Sequence, residues 1–180
     1  TFLSNYSWLT YGVLVPAAQN AFIYGFALQA GFAAMLWMTM RLGQVKLRGP
    51  GFLFLGTILW NIALLVGIVR LMGGSQSGYA FLSMPGFVYT MLFTAYALIG
   101  GMTLLTFFKR QDREIYPSQW FIYASIYWFP WMLTAASNAL FASEPTRGLA
   151  QAVVHGWYAS GMITIVLGFV GIALLQYLVP

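Results

Sequence analysis

The chain of 180 residues has no cysteine, one histidine and three acidic residues. Without cysteine, no disulfide framework, iron–sulfur cluster or thiolate metal site can form within it, though this says nothing of compartment. The lone histidine, His155, cannot close a metal site that commonly needs three or four ligands. Charge is scarce as well, at 6% of residues, where a soluble domain carries roughly 25%. That is too little to cover a shell facing water. With 61% hydrophobic residues and a mean hydropathy of +0.78, the composition implies an all-α integral membrane protein. There is no glycine-rich phosphate loop joined to a strand and no nucleophile–base constellation, so hydrolase or kinase chemistry of the soluble kind is dropped.

What is present is five long apolar runs. A helix crossing a bilayer core of about 30 Å needs about 20 residues. Runs at about 16–42, 52–72, 85–108, 118–142 and 148–179 qualify, and 1–180 reads as a single transmembrane domain. Pro16, Pro85 and Pro117 stand where helices should begin, since a missing N–H costs little there. Gly49-Pro50-Gly51 reads as a turn, residues 73–78 as a flexible polar loop, and Pro130 as a kink in the fourth run. The chain begins at Thr1 with no cleavable leader pattern. The expectation is a fragment, a processed chain or part of one. No internal repeat of the transporter type is evident.

The net charge of +5 lies between the runs. Arg41, Lys46 and Arg48 follow the first run; Lys109, Arg110 and Arg113 follow the third, beside Asp112 and Glu114. The other two loops carry Arg70 and Arg147, the latter with Glu144. Six basic residues against two place the first and third loops in the cytoplasm, with Thr1 outside and Pro180 inside. Cations used this way are orientation signals, and nucleic acid is a poor candidate partner. Tyr6, Trp8, Tyr11, Tyr116, Trp120 and Tyr177 suit interface belts, while Trp128 and Trp131 beside Pro130 should lie deeper.

An ionisable residue inside a span is a functional candidate by default. For His155 the favoured reading is a neutral side chain bonded to a neighbouring helix; the alternative is a haem or metal ligand. No carboxylate lies in a run, which leaves no proton path of buried acids. Helix-to-helix hydrogen bonds are expected to explain most of Asn20, Gln29, Asn61, Tyr96, Thr103, Ser137 and Asn138. Small pairs four apart, Ala21/Gly25, Ala27/Gly31, Ala63/Gly67 and Gly156/Ser160, predict close helix packing.

Three stretches, in order along the chain, carry a family resemblance. They are LTYGVLVPAAQNAFIYGF (Leu9 to Phe26), IYPSQWFIYASIYWFPWMLTAASNALF (Ile115 to Phe141) and PTRGLAQAVVHGWYASGMITIVLGFVGIALLQYLVP (Pro145 to Pro180). Together they resemble subunit I of the haem-copper oxidases, nearest the C-type (cbb-type) branch and its divergent relatives. The resemblance implies that the five spans correspond to helices II to VI of a twelve-helix bundle, in a bacterial inner membrane. It agrees with the orientation from charge. It also implies an axial histidine of the low-spin haem where this chain has Ala18, and a copper-ligating histidine where it has Ser160. A methyl group has no lone pair for iron, the neighbouring Gln19 offers only an amide, and a hydroxyl is a weak replacement for imidazole on copper. His155 is five residues before Ser160, roughly 140° around a helix, so it does not substitute simply. Gly12-Val13-Leu14-Val15 supplies no basic partner for a haem propionate.

From this, no cofactor is expected within the chain, and any vestigial haem pocket should involve Ala18, Phe22, Gly25, Gln29 and Trp157. The leading expectation is a scaffold or docking subunit of an electron-transfer complex. Its partners would be the lipid bilayer, other membrane subunits and a cytochrome c or quinone-linked protein. The second is one piece of a split or only partly represented terminal oxidase, completed by another chain, with haem b and copper at its centre. A channel or transporter ranks third.

Overall fold

The computed structural model describes residues 6–111, 114–142 and 145–179. The positions of Thr1, Pro180, Asp112, Arg113 and Glu144 therefore fall outside the described residues. Five long helices form: α1 (Tyr11–Leu42), α2 (Pro50–Met72), α3 (Gly86–Phe108), α4 (Pro117–Phe141) and α5 (Gly148–Leu178). The described residues contain no strand. The 23 residues of α2 or α3 reach about 35 Å, enough to cross a bilayer.

Helix starts follow the proline and glycine signals, with one correction. Pro50 and Pro117 are the first residues of α2 and α4, and Pro85 directly precedes α3. Gly49, expected to be part of a turn, is the left-handed residue (φ 56°) from which α2 starts. Pro16 does not begin its helix. The helix starts at Tyr11 and continues through Pro16. The carbonyl that Pro16 leaves without its usual donor belongs to Gly12, which is exposed, so the interruption costs little.

Length and composition together qualify four helices for a membrane span; α4 is as long but less apolar. The reason lies in its position. The helix packs against α1, α3 and α5, and its polar Ser118, Gln119 and Ser125 are buried in protein. Polar groups on the face of a span that packs on protein need not meet lipid, while Trp120, Tyr127 and Trp131 lie on its exposed face. The helix runs without interruption through Pro130. The carbonyl freed by Pro130, that of Ile126, accepts the Tyr96 hydroxyl of α3 at 2.8 Å. Replacing Tyr96 with phenylalanine is expected to destabilise the bundle by about 1 kcal/mol. The same change should cost nothing in a Pro130→Ala background, where the helix supplies its own donor. Unfolding titrations of the four proteins in mixed detergent check this.

Helix α1 lies against all four others, and α2 and α3 pack along their length. Their contact is close because Gly56 and Gly67 are buried with no room for a side chain. Ala63 and Gly67 behave as the small-pair reading expected. The pair Gly156/Ser160 does not: both residues are exposed, and a Cβ on Gly156 would meet nothing.

Two helices contain a wider turn that no local sequence pattern predicts. Residues Ala21–Ala27 of α1 and Met162–Leu167 of α5 are π-helical. Such turns leave backbone carbonyls free for other donors. In α1 the Trp60 indole Nε1 of α2 donates to the Tyr24 carbonyl at 2.8 Å. In α5 the Ser125 hydroxyl of α4 donates to the Val166 carbonyl at 2.8 Å. Each wide turn is thus held by a donor from another helix.

Candidate functional site

Most polar residues within the spans bond to their own helix rather than across it. Asn20 donates to the Pro16 carbonyl and Thr103 to that of Ile99, both at 2.8 Å. The expectation of helix-to-helix bonding holds for Tyr96 and for Gln29 with Asn61, whose amides exchange bonds at 3.3 and 3.4 Å. The stronger interhelical bonds come from residues that composition did not single out.

Tyr24 of α1 and Tyr158 of α5 are both fully buried, and their hydroxyls are 2.6 Å apart. Tyr24 donates its one proton to the Phe81 carbonyl at 2.7 Å. Tyr158 must therefore donate to Tyr24. The chain ends at backbone with every proton placed. Phe81 belongs to the α2–α3 connection and has φ 60°, an uncommon conformation for a bulky aromatic residue. The connection had been read as flexible over residues 73–78. Those residues are largely exposed, but Ser77 is tied at both ends of its peptide and side chain to Ser83 and Leu82. The following Leu82, Ser83 and Met84 are buried, as in a plug.

His155 holds this plug. Its Nε2 accepts the Ala80 backbone N–H at 2.8 Å, and its ring lies 5.5 Å from that of Tyr79. Gln151, one turn earlier, donates to the Tyr79 hydroxyl. The bland reading of His155 named a neighbouring helix as its partner; the partner is the loop. The Ala80 N–H thus engages the lone pair of Nε2, one of the two ring nitrogens of His155. Replacing His155 with phenylalanine keeps the ring contact but strands the Ala80 N–H. The expected result is a loss of about 1–2 kcal/mol and faster amide hydrogen exchange across residues 79–84. The amides of α2 serve as the unchanged control.

The positions implied by the resemblance fall elsewhere. Ala18 and Phe22 are exposed on α1, and Ser160 is exposed on α5. Gly25 lies against α2, where an added Cβ would be 3.1 Å from Leu64. Gln29 also faces α2 and lines a cleft of about 290 Å³ with Phe32, Thr57 and Trp60. Trp157 instead meets Trp131 of α4, edge to face at 5.3 Å. The α1 positions and Trp157 thus face different neighbours. Among the described residues, no three His, Cys, Asp or Glu side chains are grouped as a metal site would need.

The donor set does not fit the haem and copper that the resemblance implies. Ala18 offers iron a methyl group, Ser160 offers copper a neutral hydroxyl, and the His155 Nε2 is engaged by Ala80. The arrangement joins α1, α5 and the α2–α3 connection through hydrogen bonds, of which the Tyr24–Tyr158 pair is fully buried.

No family model matches the chain. The chain is similar to the cytochrome c oxidase subunit 1 homolog of Azorhizobium caulinodans, with 24% identity over 187 residues. The similarity covers 96% of this chain and 33% of that protein. The chain therefore spans about a third of the length of the curated relative it matches.

Proposed function

We propose that this chain is a membrane scaffold related to oxidase subunit I, a structural or docking component of an electron-transfer complex that does not itself ligate haem or copper. The observation that carries the reading is the bond from Ala80 N–H to His155 Nε2. It engages one nitrogen of the sole histidine with the α2–α3 connection, while alanine and serine occupy the two ligand positions implied by the family. A C-type affinity, a correspondence with helices II to VI and a bacterial inner membrane belong to the same proposal. So does a cytochrome c or quinone-linked partner. The similarity along 96% of the chain supports an oxidase-like ancestry.

The test is haem per chain in the gently isolated assembly, by pyridine haemochrome spectrum, with the subunits counted by intact mass. The expected result is no haem that depends on this chain. Stoichiometric haem that disappears in the His155→Phe variant would overturn the proposal.

A second reading is a split oxidase. It rests on the similarity to the oxidase subunit 1 homolog along 96% of the chain. Another chain would then supply haem b and copper ligands. It predicts haem that survives the His155→Phe change and a co-purifying polypeptide with several histidines within its spans.

A further inference from the structure

At the end of the bundle opposite the plug, the α1–α2 and α3–α4 connections form one surface. The Gln111 N–H donates to the Gly43 carbonyl at 3.0 Å, and the Arg48 N–H donates to the Thr106 hydroxyl at 3.2 Å. A Cβ on the buried Gly43 would lie 3.1 Å from that of Arg110, so the two connections touch. Between them is a cleft of about 510 Å³ lined by Lys46, Arg48, Lys109, Gln44 and Gln111 with Val45 and Leu47. Among the described residues, no carboxylate lines it. Lysine and arginine heads can only donate, so the acceptors facing the three cations are the amide oxygens of Gln44 and Gln111, and neither carries a charge.

The same imbalance continues inward. Arg110 stands over the Phe107 ring at 4.3 Å, and Phe107 in turn packs on Tyr123 at 3.9 Å. The Arg110 Nε and the Gln119 Nε2 are enclosed and have no hydrogen-bond partner among the described residues. Gln119 is fully buried and Tyr123 is 7% exposed. Below the cleft, toward the middle of the span, the surface turns apolar: Leu105 is one helical turn from Lys109, and both it and Phe108 are exposed. Cations above and exposed hydrocarbon directly beneath form an amphiphilic pattern at the depth of lipid headgroups.

We propose that this cleft binds the phosphodiester of an anionic phospholipid. Lys46, Arg48 and Lys109 hold the phosphate, and the acyl chains lie along Leu105 and Phe108. The phosphate supplies an anionic acceptor to the three cations and links α1, α2 and α3 through one ligand. The site is independent of any relation to oxidases.

The test uses the full chain in lipid discs of phosphatidylcholine containing a minor share of phosphatidylglycerol. Bound lipid is counted by native mass spectrometry after release. Wild-type protein should retain phosphatidylglycerol in preference to phosphatidylcholine, and high salt should abolish the preference. The K46Q/R48Q/K109Q variant should lose it, with retention falling roughly fivefold for each charge removed. Arg70, exposed at the other end, provides the control R70Q, which should retain lipid as the wild type does. Absence of any preference in the wild-type protein overturns the proposal without recourse to a variant. Equal retention by the triple variant overturns it too. Displacement of phosphatidylglycerol by inorganic phosphate at matched concentration would assign the cleft to a soluble phosphate and equally defeat the lipid proposal.

Discussion

Replacing Trp60 with alanine is expected to cost about 3–5 kcal/mol, the range for removing a large aromatic side chain from a packed core. Trp60 is fully buried in α2. Its ring meets Phe32 edge to face at 5.2 Å and lies within 6.0 Å of Phe129 and 6.2 Å of Tyr24. It therefore touches α1 and α4 at once. Removing it opens a cavity shared by three helices, and surrounding aromatic rings close such a gap poorly. The substitution also removes the donor to the Tyr24 carbonyl in the wide turn of α1. The Trp60→Phe variant separates the two contributions. It keeps most of the packing and loses the hydrogen bond, and about 1 kcal/mol is expected from that alone. Reversible unfolding in mixed detergent, followed by circular dichroism, reads all three proteins. A Trp60→Ala midpoint close to wild type would mean that the aromatic centre does not hold the helices together.

Gly56→Val should separate α2 from α3, at a cost of about 1–3 kcal/mol or more. A Cβ on Gly56 would be 3.0 Å from the Leu98 Cβ and 3.1 Å from the Ala95 carbonyl oxygen. Neither neighbour can swing away, because one is fixed to the helix backbone and the other is part of it. Gly67 offers a useful contrast. Its obstacles include the Met84 thioether, the end of a flexible side chain that can rotate aside, so Gly67→Ala should cost less than Gly56→Val. On the open face, a Cβ on Gly156 meets nothing. There the gain in helix propensity acts alone, and Gly156→Ala should stabilise by about 0.5–1 kcal/mol. Thermal midpoints of the three variants in one detergent give the ranking directly.

The tyrosine pair and the plug show where sequence reading stopped. Tyr24 and Tyr158 are 134 positions apart, and nothing in composition or local spacing pairs two aromatic residues at that distance. The signal that could have found them was weak: a tyrosine deep in an apolar run needs a partner for its hydroxyl. The plug was missed for a related reason. Glycine and serine at 73–78 read as a flexible loop, which holds for their exposure, but Leu82 to Met84 were not weighed as buried. His155 stands out in the sequence as the one histidine, but its partner is Ala80 of the α2–α3 connection rather than the neighbouring helix that an apolar span suggests. The Gly156/Ser160 pair misled because spacing gives the face of a helix but not what that face meets.

Composition by itself determined the class of this protein, since 6% charged residues cannot solvate a globule. Five apolar runs of bilayer length then determined its helices, most bounded by prolines and glycines that fix local geometry. These are properties of a chain segment and its solvent. The tertiary structure alone decided how each helix is turned and where it departs from regularity. The wide turns of α1 and α5 are held by Trp60 and Ser125 from other helices, and the carbonyl opposite Pro130 is satisfied by Tyr96. Only the fold engages His155 with the plug while leaving Ala18 and Ser160 on the outer surface. A hydrogen bond between distant segments depends on the relative placement of whole helices, which no local pattern in a uniformly apolar sequence records.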